Sequence, residues 1–187
     1  MKRPVLRHLP NALTAFRLFA APVLVFLLLH ERYEGALVLF ALAGLSDALD
    51  GYLAKRFAFG SRFGAILDPA ADKLLMLVAF VTLVHMDLTP FWLTALVIGR
   101  DIAIVAGILL GRALALPIAI APLAIGKAST VVQVCYVGLV LLLAALGQDV
   151  PTLRSAAEIT VALVTVASWL AYGQVLLKAF ALRRKPA

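Results

Sequence analysis

Cysteine is nearly absent from this chain. A single residue, Cys135, stands in an apolar run among 187 residues. That excludes a disulfide framework and a thiolate metal site, and the plain reading of Cys135 is packing against lipid or protein. Charge is scarce too: Asp, Glu, Lys and Arg make up 14% of the chain, 64% is hydrophobic, and mean hydropathy is +1.03. Soluble domains are about 45–50% apolar, so composition excludes a soluble globular protein, and no polar stretch is long enough for an appended soluble domain. Acidic residues are the rarer sign, 10 against 17 basic, for a net charge of +7. In so apolar a chain the basic excess belongs to cytoplasmic loops and anionic headgroups rather than to nucleic acid. No internal repeat is visible.

What the chain has is a series of apolar runs, each near the ~20 residues that span a bilayer. They predict six helices, at about 11–29, 35–55, 64–84, 91–110, 126–146 and 154–180. The expected fold is an all-α integral membrane protein, a single six-helix domain over 1–187 with short basic tails at 1–10 and 181–187. Basic residues precede the first run, as in a signal peptide. No small-x-small cleavage site follows before the polar His30–Glu34 turn, so the run reads as a retained span. Pro22 lies inside it and permits a kink. Pro117 and Pro122 disfavour a continuous helix between Arg112 and Ile125, an apolar stretch expected in the interface or against protein. Lys2, Arg3, Arg7, Lys55, Arg56, Arg62, Arg112, Lys127, Lys178, Arg183, Arg184 and Lys185 fall on one side of these spans. Only Arg32 and Arg154 fall clearly on the other. By the positive-inside rule both termini and the 56–62 connection are expected to be cytoplasmic.

One stretch departs from the apolar background: Asp47 to Lys73, DALDGYLAKRFAFGSRFGAILDPAADK. Asp47 and Asp50 are three apart and share a helix face; Asp68 and Asp72 are four apart and share another. Gly51, Ala54 and Gly64 extend those faces with almost no side chain. Ionised groups at bilayer depth are costly, so they are paired, solvated or functional. A lone Asp near a helix end is usually a cap or an ion-pair partner; four at helical spacing beside small residues are not. Four clustered carboxylates stay ionised only if cations neutralise them. The donors are hard oxygens with no His or Cys interleaved, which favours Mg²⁺ or Mn²⁺, and two divalent ions would balance four charges. Two metals suit phosphoryl transfer, and Lys55, Arg56 and Arg62 are placed to hold a diphosphate.

The stretch resembles the signature of the CDP-alcohol phosphatidyltransferase family, D-x2-D-G-x2-A-R-x8-G-x3-D-x3-D. Here it reads Asp47, Asp50, Gly51, Ala54, Lys55, Gly64, Asp68, Asp72, with every spacing kept. Lys55 replaces the family's Arg, keeping charge but losing the planar fork; Arg56 follows it. The hydrophobic layout and the opening LPNALTAFRL extend the resemblance over nearly the whole chain. The resemblance implies transfer of a phosphatidyl group from CDP-diacylglycerol to an alcohol, with CMP leaving. It implies Asp47, Asp50 and Asp68 as metal ligands. Asp72 would be the general base on the acceptor hydroxyl, also touching a metal. Gly51, Ala54 and Gly64 would be the nucleotide-facing surface, and Lys55 the diphosphate contact. It also implies a homodimer through the third to sixth helices, the bacterial inner (cell) membrane and an active site on its cytoplasmic side.

The acceptor is written elsewhere, and a glycerol-type alcohol is expected. Glycerol 3-phosphate carries a phosphate dianion that needs extra cations, for which Arg100, Arg112 and Lys127 are candidates. For Arg100, an internal ion pair with Asp101 or another Asp is an equal alternative. The segment GKASTVVQ at Lys127 resembles GK-x-KT-x2-Q of phosphatidylglycerophosphate synthase type members, with Ser129 at their second Lys. Cardiolipin synthase type members have SK-x-N-T there and an R-D pair like Arg100–Asp101, which leans toward phosphatidylglycerol. Asn11, Thr14 and Arg17 recur at helical spacing; they either line the nucleotide site or, slightly ahead, are an N-cap with a snorkelling Arg. Gln133 reads as a helix–helix hydrogen bond. Lys73 tempers local charge. Trp92, Trp169 and Tyr172 read as packing or interface anchors. The rival class is a transmembrane cation transporter using the Asp cluster. Against it stand the clustering of the acids toward one face, the missing inverted repeat and the lack of a clearly broken mid-depth helix.

Overall fold

The computed structural model describes the backbone of residues 9–57, 64–114 and 123–183, and within these the side chains of 15–46, 71–114 and 123–181. Among the described residues there are six α-helices and no strand: α1 Leu9–Leu29, α2 Tyr33–Phe57, α3 Gly64–His85, α4 Phe91–Ala113, α5 Ala124–Ala145 and α6 Pro151–Arg183. Among the described residues three stretches are long and apolar enough to cross a membrane: Phe91–Ala113, Ala124–Ala145 and Pro151–Ala181. Ala15–Leu29 and Tyr33–Ser46 are shorter apolar helical stretches. Phe19, Phe91 and Leu177 are among many large apolar side chains left facing outward, a surface that suits lipid.

α1, α2, α5 and α6 start two or three residues earlier than the apolar runs predict, while α3 and α4 start where expected. α6 begins at Pro151 rather than near Arg154, because proline's missing N–H costs nothing at a first helical position. Pro22 sits within an unbroken run of helix in α1. The stretch 115–122, with Pro117 and Pro122, lies outside the described residues, as do 1–8, 58–63 and 184–187.

α1, α3 and α5 end in one way. Two N–H groups beyond each helix turn back onto its last carbonyls, as in a Schellman cap. Arg32 N–H bonds Leu27 O at 2.8 Å and Glu31 N–H bonds Leu28 O at 2.9 Å. Leu88 and Asp87 do the same to Leu83 and Val84, and Gln148 and Gly147 to Leu143 and Ala144. Each cap needs a residue at positive φ: Glu31 at 56°, Asp87 at 55° and Gly147 at 60°. Only Gly147 meets that demand without a Cβ penalty.

The chain forms two compact units, Met1–Thr89 with Val137–Asp149, and Pro90–Tyr136 with Val150–Ala187. In the first, α1 packs against both α2 and α3. Its buried stripe is Arg17, Ala20, Ala21, Leu24 and Leu28, the spacing of one helix face. Ala36, Phe40 and Ala43 of α2, and Ala71, Leu75, Ala79, Phe80 and Leu83 of α3, are buried with it. The alanines let helix backbones approach closely, which in lipid stands in for a hydrophobic driving force. In the second unit α4 packs on α6, and the buried set is markedly polar: Thr94, Arg100, Ser129, Gln133, Thr165 and Ser168.

Candidate active site

The acidic stretch falls across two helices that share a neighbour. Asp47 and Asp50 lie in the last three turns of α2, and Asp68 and Asp72 in the first three turns of α3. Both helices pack on α1. Gly51, Ala54, Lys55 and Arg56 continue α2, and Gly64 opens α3. The side chains of Asp47, Asp50, Asp68, Lys55 and Arg56 lie outside the described residues, and so does Arg62 altogether. Asn11 and Thr14 are helical in α1, their side chains likewise undescribed.

Asp72 is described, and its partner is unexpected. The Nη1 of Arg17 donates to its Oδ1, a charge-assisted bond across 55 residues of sequence. Arg17 does not snorkel to water: it is 1% exposed, on the buried stripe of α1. That corrects the snorkelling expectation. A charge held this far from water is tolerable only with a carboxylate and hydrogen bonds around it. Asp72 itself is partly open, its side chain 40% exposed. The bond therefore anchors one carboxylate oxygen from the buried side while the residue keeps access to its surroundings. The signal was present in the sequence: Arg17 stands three, four, seven and eleven residues before Ala20, Ala21, Leu24 and Leu28. That spacing puts it on the packed face rather than the lipid face.

No group of three His, Cys, Asp or Glu side chains comes together among the described residues, which include only one of the four acids. The fit to a metal is tested by the donor set itself. Two carboxylate pairs at helical spacing, on two helices packed against a third, form an all-oxygen set with no imidazole or thiolate in the stretch. That set fits a hard divalent cation such as Mg²⁺ or Mn²⁺.

The acceptor candidates separate. Arg112 and Lys127 are exposed. Arg100 is 5% exposed and engaged internally. Its Nη1 donates to Asp101 Oδ1 at 2.7 Å. Its Nη2 donates to Ser168 Oγ at 2.7 Å and, at 3.4 Å, to the carbonyl of Gly126. Nε reaches the same Ser168 oxygen at 3.2 Å, and the guanidinium lies 5.8 Å from the centre of the Tyr172 ring. The internal ion pair expected as one alternative is thus present, together with a hydroxyl and an aromatic ring that no local motif announced. Gln133 makes the expected interhelical bond, its Nε2 donating to Thr165 Oγ1 of α6 at 3.3 Å and to Ser129 Oγ at 3.2 Å.

A cavity of about 540 Å³ lies elsewhere, at the α1–α2 turn, lined by Phe26, His30, Glu31, Arg32, Tyr33 and Ala144 among others. Phe26 is nine residues beyond Arg17, about 14 Å along a helix axis, so this cavity is not the acidic site.

An integral membrane protein, all-helical among its described residues and with two Asp on each of two consecutive helices, is the class these features define. The family model for CDP-alcohol phosphatidyltransferase matches residues 7–178, and the chain belongs to that family. Rat "Cardiolipin synthase (CMP-forming)" is 43% identical over 110 residues, 58% of this chain and 36% of the rat protein. The chloroplastic "CDP-diacylglycerol–glycerol-3-phosphate 3-phosphatidyltransferase 1" of Oryza sativa is 33% identical over 184 residues, 89% of this chain and 56% of its own. The Pseudomonas fluorescens protein named CDP-diacylglycerol–glycerol-3-phosphate 3-phosphatidyltransferase is 42% identical over 105 residues, 53% of each chain. This chain spans between 36% and 56% of the length of these three relatives.

Proposed function

We propose that the chain transfers a phosphatidyl group from CDP-diacylglycerol to the hydroxyl of a glycerol-type acceptor, releasing CMP, as a step of phospholipid biosynthesis. The observation that carries this reading is the complete spacing of Asp47, Asp50, Gly51, Ala54, Gly64, Asp68 and Asp72, inside a chain matched to the family over residues 7–178. The names of the relatives support it, since they include both acceptor types. Asp47, Asp50 and Asp68, with Asp72, would hold two divalent cations, Mg²⁺ or Mn²⁺, whose charge would offset that of the diphosphate and of the departing CMP.

The chain's own residues supply the rest. Asp72 takes the proton of the acceptor hydroxyl as that oxygen forms its bond to the phosphatidyl phosphorus. The bond from phosphorus to the bridging oxygen breaks, and CMP leaves with the electron pair. Arg17, bonded to Asp72, fixes the orientation of this base; a base held within hydrogen-bond reach of its substrate gains the advantage of a near-attack arrangement. Lys55, with Arg56 and Arg62, meets the diphosphate, and the side-chain-poor surface of Gly51, Ala54 and Gly64 admits the nucleotide.

Six membrane-crossing helices, cytoplasmic termini, an active site at the cytoplasmic face of a bacterial inner membrane, and a homodimer belong to the same reading. Among acceptors, phosphatidylglycerol is favoured over glycerol 3-phosphate. Arg100 is already engaged by Asp101 and Ser168, which leaves less positive charge free for an acceptor, and a phosphodiester monoanion needs less of it than a phosphate dianion. The test is purified protein with CDP-diacylglycerol and Mg²⁺ or Mn²⁺, offered glycerol 3-phosphate or phosphatidylglycerol in parallel, with CMP and lipid product masses measured. Cardiolipin as the main product is expected. Phosphatidylglycerophosphate instead would reverse the acceptor preference, and no CMP from either acceptor would overturn the activity.

A further inference from the structure

The cavity at the α1–α2 turn lies apart from the acidic stretch, and its lining is mixed. One wall is apolar: Phe26 and Leu27 near the end of α1, and Ala144 and Ala145 in the last turn of α5. The other wall is the polar run from His30 to Glu34. All of these residues belong to the first unit. The volume, about 540 Å³, falls within the roughly 300–1,000 Å³ of small-ligand sites. The polar wall has a definite pattern of donors and acceptors. The Nδ1–H of His30 donates to the Phe26 carbonyl at 2.8 Å, and the two rings lie 4.1 Å apart between centroids. Two contacts thus hold the imidazole, and in the neutral ring Nε2 is left as an acceptor. Glu31 and Glu34 are exposed, and an ionised carboxylate only accepts. Arg32, also exposed, only donates. Among the described residues these three charges form no ion pair with one another.

We infer that this cavity is a second lipid site, for a phospholipid whose headgroup carries a primary ammonium beside its phosphate. The ammonium has three N–H donors, matched by His30 Nε2 and the carboxylates of Glu31 and Glu34. Arg32 meets the phosphate, and the first acyl carbons lie against Phe26 and the two alanines. Charge complementarity selects this occupant. Two carboxylates to one guanidinium disfavour a headgroup that is anionic overall, as CDP-diacylglycerol and both glycerol-type acceptors are. A quaternary ammonium has no N–H to give to the acceptors. A water-soluble zwitterion would leave the apolar wall uncovered, and Phe26 is 58% exposed. The turn also stands where an apolar helix gives way to polar sequence, the level of bilayer headgroups. The inference rests on α1 and α2 meeting the bilayer surface at this turn, part of the reading above, and not on the transferase activity.

The experiment uses the full chain, purified in detergent, and phospholipids that carry a photoreactive group close to the headgroup. Ethanolamine, choline and glycerol headgroups are compared, and the labelled peptides are mapped. The ethanolamine lipid should label residues 26–35 or 144–145. Unlabelled ethanolamine lipid should compete about tenfold better than the other two, the usual worth of a charge-assisted hydrogen bond. Glu31→Gln with Glu34→Gln should erase that preference. Arg32→Gln should weaken all three headgroups by a common factor of about ten, since each carries a phosphate. Ala144→Leu, which narrows the apolar wall and touches no charge, should reduce labelling of the turn by every headgroup. CMP release by these variants should stay at the wild-type level.

Equal competition by the three headgroups overturns the inference, because lipid that merely surrounds the helices shows no headgroup preference. A preference that survives the double Gln variant overturns it too, as does labelling confined to other residues. Should the double variant not fold, Glu34→Gln alone carries the same comparison. If no lipid labels the turn while lipid does label α4 and α6, the placement of α1 and α2 in the membrane falls together with the inference. Absence of CMP release by the wild-type chain would instead refute the transferase reading alone, so the failures are distinct.

Discussion

Among the described residues each unit of this protein buries one arginine, and the two are handled differently. Arg17 sits on a stripe of alanine and leucine in α1 and bonds a carboxylate 55 residues away on α3. Arg100 bonds the residue next to it in sequence and then a hydroxyl, a carbonyl and a ring on two further helices. The first therefore reaches out to a residue of the candidate chemistry, while the second is absorbed by its own scaffold. A buried guanidinium is not by itself a mark of a ligand site. Both meet a partly exposed carboxylate, Asp72 in one case and Asp101 in the other; what distinguishes the two is that Asp72 belongs to the acidic stretch of the candidate site and Asp101 does not.

The sharpest break of this comparison is at Asp72. Replacing it by Asn should lower CMP release by about 10²- to 10⁴-fold, the usual worth of a general base, while CDP still binds. Turnover at the wild-type rate would show that Asp72 is not the base. Next comes its partner. Arg17→Gln should cost about 3 kcal/mol of stability in detergent, the low end for breaking a buried pair because Asp72 is partly open to its surroundings. Removing both charges together, as Arg17→Met with Asp72→Asn, should restore most of the melting temperature and none of the activity. Equal melting of Arg17→Gln and wild type would mean that the bond supports neither fold nor base.

Effects in the second unit should be smaller, because its polar groups share several partners. Thr165→Val removes one of the two bonds of Gln133 and should cost about 0.6 kcal/mol, the average for interhelical hydrogen bonds in membrane proteins. Its kcat should be unchanged; a large loss of kcat would put this seam in the chemistry. The smallest effect is expected outside both arginine networks. Glu31→Gly at the α1 cap should gain about 0.5 kcal/mol, because glycine relieves the positive φ but loses more freedom on folding. A drop in melting temperature would show that the Glu31 side chain contributes a contact worth more than the strain.

Much of the architecture is legible in the apolar runs. Six were expected, and the described residues form six helices with ends within about three residues of expectation. Such precision comes from a strong signal, since a helix bounded by polar turns in an apolar chain has little choice of register. The errors have local causes. α6 starts at Pro151 rather than near Arg154 because proline fits the first helical position, whereas α1 ends at Leu29 as expected. The candidate site divides differently. The four acids are legible because their spacing is local to two helices. Arg17 is harder to read, because a snorkelling and a buried arginine look alike in sequence unless the helix face shared with alanine and leucine decides between them. Ser168 and Tyr172 were not legible as a set with Arg100 at all, since nothing in α4 specifies which turn of α6 packs against it.

Sequence alone determined that this chain belongs in a membrane, where its helices run, and that four hard carboxylates stand in a spacing suited to metal-assisted phosphoryl chemistry. Those properties depend on composition and on separations of three or four residues, which helix geometry converts directly into shared faces. Only the tertiary structure decided what the buried cations hold: Arg17 an acid of the candidate site, Arg100 the first turn of α5. Those pairings join residues 26 to 68 positions apart, and helix packing, not helix periodicity, selects which faces meet.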